Sequence, residues 1–167
     1  MKIRTVCLLL LAAIAMGAAL YPVNVLQIEA QKKKAVFFVR SVRPGDRFSL
    51  MYRHSVELCL IWDHFRIDKE ERIVLDETVF ASSNTGLPSV LTGEERFTRG
   101  ATSSRISNMK RVLPAIEIWV DRRYDNTLEF DGQKVCLAEL AGNTLLRIQI
   151  RKLTWAEYVY HKLHSLI

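Results

Sequence analysis

Two short segments combine side chains that could bind or transform a small molecule. Residues 52–57 hold tyrosine, arginine, histidine, serine and glutamate, and residues 82–88 form a loop rich in hydroxyl, amide and glycine groups. Imidazole, hydroxyl and carboxylate groups carry acid–base chemistry, and a glycine loop can present backbone amides to an anion. The candidate binding residues are Tyr52, His54, Ser55, Glu57, Asn84, Gly86, Leu87 and Pro88.

Catalysis by an adjacent histidine and serine is the first reaction to consider. His54 and Ser55 would serve as base and nucleophile of a hydrolase, but neighbouring residues of a strand point to opposite faces of the sheet. They therefore cannot form a dyad with each other. No catalytic residue is assigned, an enzyme is not expected, and a hydrolase is the second alternative.

Metal, cofactor and nucleic-acid functions find no support in the residue pattern. His54 and His64 lack ligand spacing, and His161 and His164 are merely three positions apart in a predicted helix. The chain has 24 Lys and Arg against 18 Asp and Glu, a net charge of +6, but these residues are scattered among one another. We expect no metal site, no cofactor and no nucleic-acid partner.

Each candidate segment has a structural and a binding interpretation. His54 is either a half-buried histidine bonded to the loop around Gly86 or a ligand-binding group. Residues 82–88 form either a tight turn, with Gly86 at positive φ and Pro88 fixing the exit, or an anion-binding nest. In the second case Arg53 or Arg99 would supply the counter-charge.

The elements that must position these groups are mostly strands. Short runs of Val, Ile, Leu and Phe alternate with polar residues, and turn residues such as Asp131 and Gly132 separate them. The pattern predicts a mostly β domain, an antiparallel β-sandwich or a barrel. The predicted strands include residues 35–40, 65–67, 73–75, 116–120, 128–130, 135–140 and 146–150.

The stretch that begins at Phe48 is extended for about 20 residues, longer than an ordinary strand. Tyr52, His54 and Trp62 would share its core face, with a bend or bulge near Glu57. Residues 92–108 show little periodicity and predict a mobile surface loop.

The N-terminus carries an export signal. Lys2 and Arg4 precede an uncharged apolar run over residues 6–20. Residues 1–28 are predicted to be a signal peptide or membrane anchor, residues 29–34 a basic linker, and residues 35–167 a single β domain. A retained anchor places the domain on the periplasmic or exterior side of the inner membrane; cleavage after Ala19 would secrete it to the periplasm.

The C-terminus predicts a short amphipathic helix over residues 154–166. Thr154 and Glu157 fit a capping box, and apolar residues from Trp155 onward form one stripe. This helix either packs on the sheet or lies on a membrane or partner.

Two cysteines fall in the exported part of the chain. Cys59 and Cys136 could bridge in an oxidising compartment, provided that their Cα atoms lie within about 7 Å.

The turn at Pro44-Gly45-Asp46 and the two candidate segments, taken in order, resemble a family of small bacterial proteins, the domain-of-unknown-function family numbered 1850. The resemblance covers residues 36–97, and this chain has Asn84 where the family pattern has glycine. It implies a membrane-associated extracytoplasmic protein, often encoded beside fused membrane subunits of tripartite ATP-independent periplasmic (TRAP) transporters.

Two functional hypotheses follow. The first is an accessory or interaction domain that contacts the membrane through its N-terminal segment and supports a TRAP-type transporter, whose membrane subunit would be the partner. The alternative is a module that binds an organic anion at residues 82–88.

Overall fold

The computed structural model describes residues 3–32, 34–54, 58–80 and 91–165. Within these ranges the chain forms three helices and twelve strands. The helices are α1 (Ile3–Ala19), α2 (Leu137–Ala141) and α3 (Trp155–His164). The strands are β1 (Pro22–Ala30), β2 (Val36–Ser41), β3 (Arg47–Arg53), β4 (Leu60–Ile67), β5 (Ile73–Phe80), β6 (Arg96–Arg99), β7 (Ser104–Ser107), β8 (Arg111–Leu113), β9 (Ile116–Val120), β10 (Thr127–Phe130), β11 (Gln133–Cys136) and β12 (Thr144–Thr154).

The smaller sheet joins the two ends of the chain in the antiparallel order β2-β1-β12-β9. β1 pairs with β12 without interruption, from Pro22 opposite Thr154 to Ala30 opposite Leu146. Residues 25–30 are all buried. The domain therefore includes residues 22–30, which the sequence pattern placed in the leader and linker. Val23, Val25 and Leu26 made the start of β1 resemble an extension of the apolar run.

The larger sheet has the antiparallel order β11-β10-β3-β4-β5-β7-β6, with β8 beside β5. β3 and β4 form a hairpin from Arg47 opposite Arg66 to Arg53 opposite Leu60. A register shift after His64 leaves Asp76 as the extra residue of a β-bulge in β5. This bulge changes which side chains of β5 face the same side as those of β4.

One cluster of buried apolar residues draws on both sheets. It includes Leu26 and Ile28 from the smaller sheet and Phe48, Leu50 and Phe65 from the larger one. In the part of the chain that the structure describes, neither sheet closes on itself: β2 and β9 end one sheet, and β11 and β6 end the other. The mostly β prediction is confirmed and the barrel is wrong.

The long extended stretch is divided into two strands, and the bend or bulge predicted near Glu57 lies outside the described residues. β3 ends at Arg53 and β4 begins at Leu60, and the chain turns back where the His54 amide donates to the carbonyl of Cys59. The predicted common face fails beyond this turn. Trp62 pairs with Met51, on the opposite side of the sheet from Leu50 and Tyr52, because a hairpin restarts the alternation.

Residues 92–108 were predicted to be a loop, and this is wrong. They contain β6 and β7, which pair with each other and extend the larger sheet beyond β5. Residues 137–140 belong to α2 and not to a strand. The Asp131-Gly132 turn is confirmed, with φ of 50° and 72°, the two positive values that a tight hairpin turn requires.

The two longer helices differ in how they are covered. α1 has no buried residue. No helix in the described ranges has the length and apolar content needed to span a membrane. α3 begins with the predicted capping box at Thr154 and Glu157, and its Tyr158 packs against Val25 and Val39 on the smaller sheet. The packed interpretation of the C-terminal helix is thus confirmed for Tyr158.

Candidate functional site

Tyr52, from the first candidate segment, belongs to a polar cluster on the core side of the larger sheet, here called the inner face. Its hydroxyl donates to Asp63 Oδ2 at 3.0 Å, and the Thr78 hydroxyl donates to Asp63 Oδ1 at 2.6 Å. Asp63 lies opposite Leu50 on β3 and Thr78 on β5. Cross-strand partners share a face, so this carboxylate stands on the same side as the apolar core.

Burial shapes the electrostatics of this cluster. It raises the pKa of Asp63, and the two hydroxyl donors oppose that rise. Burial and the neighbouring Asp63 carboxylate raise the pKa of the Tyr52 phenol as well, so Tyr52 stays a neutral donor. Because each oxygen of Asp63 accepts a hydroxyl from a different neighbouring strand, the cluster ties β3, β4 and β5 together.

His54 lies with Tyr52 and Arg53 along a cleft of about 410 Å³. Trp119 and Tyr124 line its other side. Arg53 pairs with Asp125 at 2.9 Å and donates to the Leu58 carbonyl at 2.8 Å. These two contacts join the end of β3 to Asp125 and Leu58, and the proposed role of Arg53 as counter-charge to residues 82–88 stays a prediction, because those residues lie outside the described ranges.

The remaining predicted site residues fall outside the described ranges. The structure brings Tyr52 and His54 to one cleft, and it leaves the predicted contribution of the others as a prediction. These residues are Ser55, Glu57, Asn84, Gly86, Leu87 and Pro88.

The opposite, outer face of the larger sheet carries a polar arrangement that the residue pattern did not predict. Ser49 Oγ and His64 Nδ1 lie 2.7 Å apart across β3 and β4, and Glu77 lies opposite His64 on β5. They form part of an open groove of about 800 Å³, here called the outer groove. The residues that line it are Arg47, Phe48, Ser49, His64, Phe65, Arg66, Asp76, Glu77, Arg96, Ser107, Asn108 and Lys110.

One sequence signal pointed to this groove without being sufficient. Arg47 and Ser49 alternate with buried Phe48 and Leu50, so an outward polar pair was visible in β3. The pairing with His64 depends on the hairpin register, and the place of Asp76 depends on the bulge.

The Ser49–His64 contact has the reach of a nucleophile and its base, but the surroundings favour binding over hydrolysis. Glu77 pairs with Arg105 at 3.4 Å and makes no described contact with His64 that could orient the ring. β3 and β4 are interior strands whose backbone amides serve the sheet, so no amide pair is left here to stabilise an oxyanion. Within the described ranges, no group of three or more His, Cys, Asp or Glu residues could hold a metal ion.

Cys59 and Cys136 are both free thiols, which corrects the suggested disulfide. Cys136 pairs with Thr127, Thr127 with Met51, and Met51 with Trp62, which places Cys136 about 14 Å from β4 at the usual strand spacing. Disulfides join Cα atoms less than about 7 Å apart.

The region from β3 through β11 contains both the Tyr52 cluster and the outer groove. Over residues 48–137, more than half of its length, the chain matches the model of the family described as Domain of unknown function (DUF1850), and it belongs to that family. No curated protein and no solved structure gives a significant match. α1, β1, β2 and most of the smaller sheet lie outside the matched region.

Proposed function

We propose that the chain is an extracytoplasmic domain held at the inner membrane through α1, where it acts as an accessory or interaction domain for a membrane transporter of the TRAP type. The observation that carries this proposal is the surface of α1. Ile3, Leu8 and Ile14 are 81%, 67% and 68% exposed, and apolar side chains surround the helix. A helix that is apolar all round belongs in an apolar environment, and lipid supplies one.

α1 is shorter than an ordinary membrane-spanning helix, so in this proposal the bilayer thins around it. Its 17 residues span about 26 Å, slightly less than the roughly 30 Å of a typical hydrocarbon core. Arg4 is its single charged residue and lies at the end where a long side chain can reach the headgroups. Exposed Leu20 and Tyr21 continue the apolar surface past the end of the helix.

α3 supports a particular position of the membrane surface. The Trp155 amide donates to the Tyr21 carbonyl at 2.8 Å, which fixes the start of α3 beside the end of α1. Trp155 and Tyr160 are exposed, and Leu163 is 76% exposed. Tryptophan and tyrosine are enriched at the level of the lipid headgroups. We place this end of the domain against the bilayer and the outer groove away from the lipid.

The family resemblance supports the transporter as partner, and the fold supports an interaction role over catalysis. We propose that the two sheets pack face to face as a β-sandwich, because the shared buried cluster lies between them. Such a body would be a rigid platform on which the cleft at Tyr52 and the outer groove face a partner or solute.

Fractionation of cells that express the full chain tests the membrane proposal. Wild-type protein should stay with membranes after an alkaline carbonate wash, and proteases added to spheroplasts should digest the β domain. Leu10→Arg places a charge in the middle of α1 and should release the protein or block its export, whereas Leu10→Ile should not. A wild-type domain that is found in the cytosol would refute the proposal.

Crosslinking in native membranes tests the accessory role. The full chain should capture a transporter membrane subunit, and Trp155→Ala or Trp119→Ala should weaken the capture if the contact lies at the membrane end or at the cleft. Repeated failure to recover any transporter subunit, with the chain correctly localised, would refute the accessory role and leave the localisation intact.

A further inference from the structure

We propose that the outer groove binds a small organic anion with two acid groups, of the dicarboxylate class. The proposal concerns the outer face of β3, β4, β5, β7 and β6 and is independent of the membrane attachment. The observation that carries it is a pair of facing positive charges on two neighbouring strands. The chain itself neutralises one of these two charges and leaves the other without a partner in the described ranges.

Arg47 and Arg66 are direct cross-strand partners on β3 and β4. Like charges in that position repel, and they destabilise a sheet unless an anion lies between or beside them. Asp76 supplies one such anion: its Oδ1 lies 2.9 Å from Arg66 Nε, and the Arg66 and Asp76 side chains are partly exposed, at 32% and 25%. Arg47 makes no ion pair with any described residue, although Asp46 and Asp131 share a small neighbouring cleft with it.

The side chains that line the outer groove carry a net positive charge. Four cations line the groove, namely Arg47, Arg66, Arg96 and Lys110, against the carboxylates Asp76 and Glu77. Glu77 is engaged by Arg105 from outside the lining, and Lys110 pairs with Glu94 at 2.7 Å. Arg47 and Arg96 therefore remain as the two guanidinium groups without a carboxylate partner in the described ranges.

The floor of the outer groove beside Arg47 offers a neutral hydrogen-bond donor. When the Ser49 hydroxyl donates to Nδ1 of a neutral His64, the ring hydrogen is on Nε2, which has no described partner and can donate to a ligand. The Ser107 hydroxyl, beside Arg96 in the β6–β7 hairpin, donates to the Arg96 carbonyl at 3.5 Å. A carboxylate can accept from the His64 ring and from a guanidinium at once.

The separation of the two arginines selects the ligand class. β3 and β6 are four strand spacings apart in the order β3-β4-β5-β7-β6, about 19 Å between strand axes, and the long arginine side chains shorten the gap from both sides. One compact monovalent anion would satisfy a single arginine. A molecule with an acid group at each end can reach both while its middle lies over β4 and β5.

Titration calorimetry of the full chain with succinate, glutarate and citrate tests the proposal, with acetate and the neutral diamide of succinate as controls. At least one of the three polyacids should bind, acetate should bind more weakly, and the diamide should not bind. Arg47→Ala and Arg96→Ala should each reduce the affinity about tenfold or more, since a hydrogen bond to a charged group contributes about 1.5–3 kcal/mol.

Arg122→Ala is the matched control, because it removes an exposed arginine that does not line the outer groove. It should leave the affinity unchanged, and circular dichroism should show all three variants folded. Absence of binding by every polyacid, equal binding of the diamide, or equal affinity in wild type, Arg47→Ala and Arg96→Ala would overturn the proposal.

Discussion

The two faces of the larger sheet are built from the same strands but differ in role: one packs in the core and the other lines the outer groove. The inner face of β3 and β4 carries Phe48, Leu50 and Phe65, with Phe48 and Phe65 stacked 4.8 Å apart at their centroids. The outer face carries Ser49 and His64 in contact, flanked by arginines. The side chains of adjacent residues along one strand thus point alternately to the core and to the outer face.

This difference separates stability from binding. Substitutions on the inner face remove buried surface and should unfold the protein, whereas substitutions on the outer face should alter charge and ligand contacts with little effect on folding. Asp63 is the exception on the inner face, because it is a carboxylate kept there by two hydroxyl donors.

The largest effect is expected for Leu50→Ala. Leu50 is fully buried in the cluster shared by both sheets, and its truncation should lower the free energy of unfolding by about 2–5 kcal/mol. Urea unfolding of the full chain measures this loss. Arg47→Ala, three positions away on the outer face, should stay within about 0.5 kcal/mol of wild type. Equal losses in the two variants would contradict the division between faces.

The second prediction concerns Tyr52→Phe, which removes one donor from Asp63. We expect a loss of about 1–3 kcal/mol at neutral pH, since the buried carboxylate is left short of a hydrogen bond. Burial already raises the pKa of Asp63 in the folded state, and loss of the Tyr52 donor should raise it further. The folded state then holds the Asp63 proton more tightly, so the loss should be small in acid and grow as pH rises through that pKa.

Unfolding curves at several pH values measure this dependence. In the Asp63→Asn background, Tyr52→Phe should cost a similar amount at every pH, because no carboxylate remains to titrate. A cost for Tyr52→Phe that is flat with pH in the wild-type background would show that Asp63 does not control it.

Much of the fold was predictable because local patterns determine it. Alternation identified β9 and β12, the Asp131-Gly132 pair identified the β10–β11 hairpin, and Thr154 with Glu157 identified the start of α3. β1 was missed because it continues an apolar run, and β6 and β7 were missed because their few apolar residues resemble a loop. These strands are defined by pairing with distant partners, which a local pattern does not contain.

The candidate site was predictable only in part for the same reason. Tyr52 and His54 stood out as residue types, and the structure brings them to one cleft. The partner of Tyr52 is Asp63, eleven positions away, and the partner of Ser49 is His64, fifteen positions away. Both contacts depend on the register of the β3–β4 hairpin.

The third prediction concerns the helix that covers the smaller sheet. α3 packs on one face of that sheet, whereas the outer face of the larger sheet is open. Thr154→Ala removes the cap of α3 and should cost about 1 kcal/mol. Glu157→Gln should cost less, because glutamine can also complete a capping box. Thermal unfolding compares the two. A cost in Thr154→Ala no greater than in Glu157→Gln would mean that the cap contributes little to holding α3.

The smallest effect is expected for Asp76→Asn on the outer face. This change removes the carboxylate that neutralises Arg66, and leaves Arg47 and Arg66 facing each other. The cost should be at most about 1 kcal/mol at low salt and should shrink as salt screens the exposed charges. Asp125→Asn is the control, because it breaks the Arg53 ion pair at the other end of β3, where Arg53 lies opposite the uncharged Leu60.

Urea unfolding at about 0.01 M and about 1 M salt measures both variants, since the screening length falls from roughly 30 Å to roughly 3 Å over that range. Arg47→Ala should restore most of the stability lost in Asp76→Asn, because it removes the repulsion itself. If Asp76→Asn cost as much in high salt as in low salt and Arg47→Ala gave no rescue, the Arg47–Arg66 pair would carry no repulsion. The outer groove would then lack the unbalanced charge on which anion binding depends.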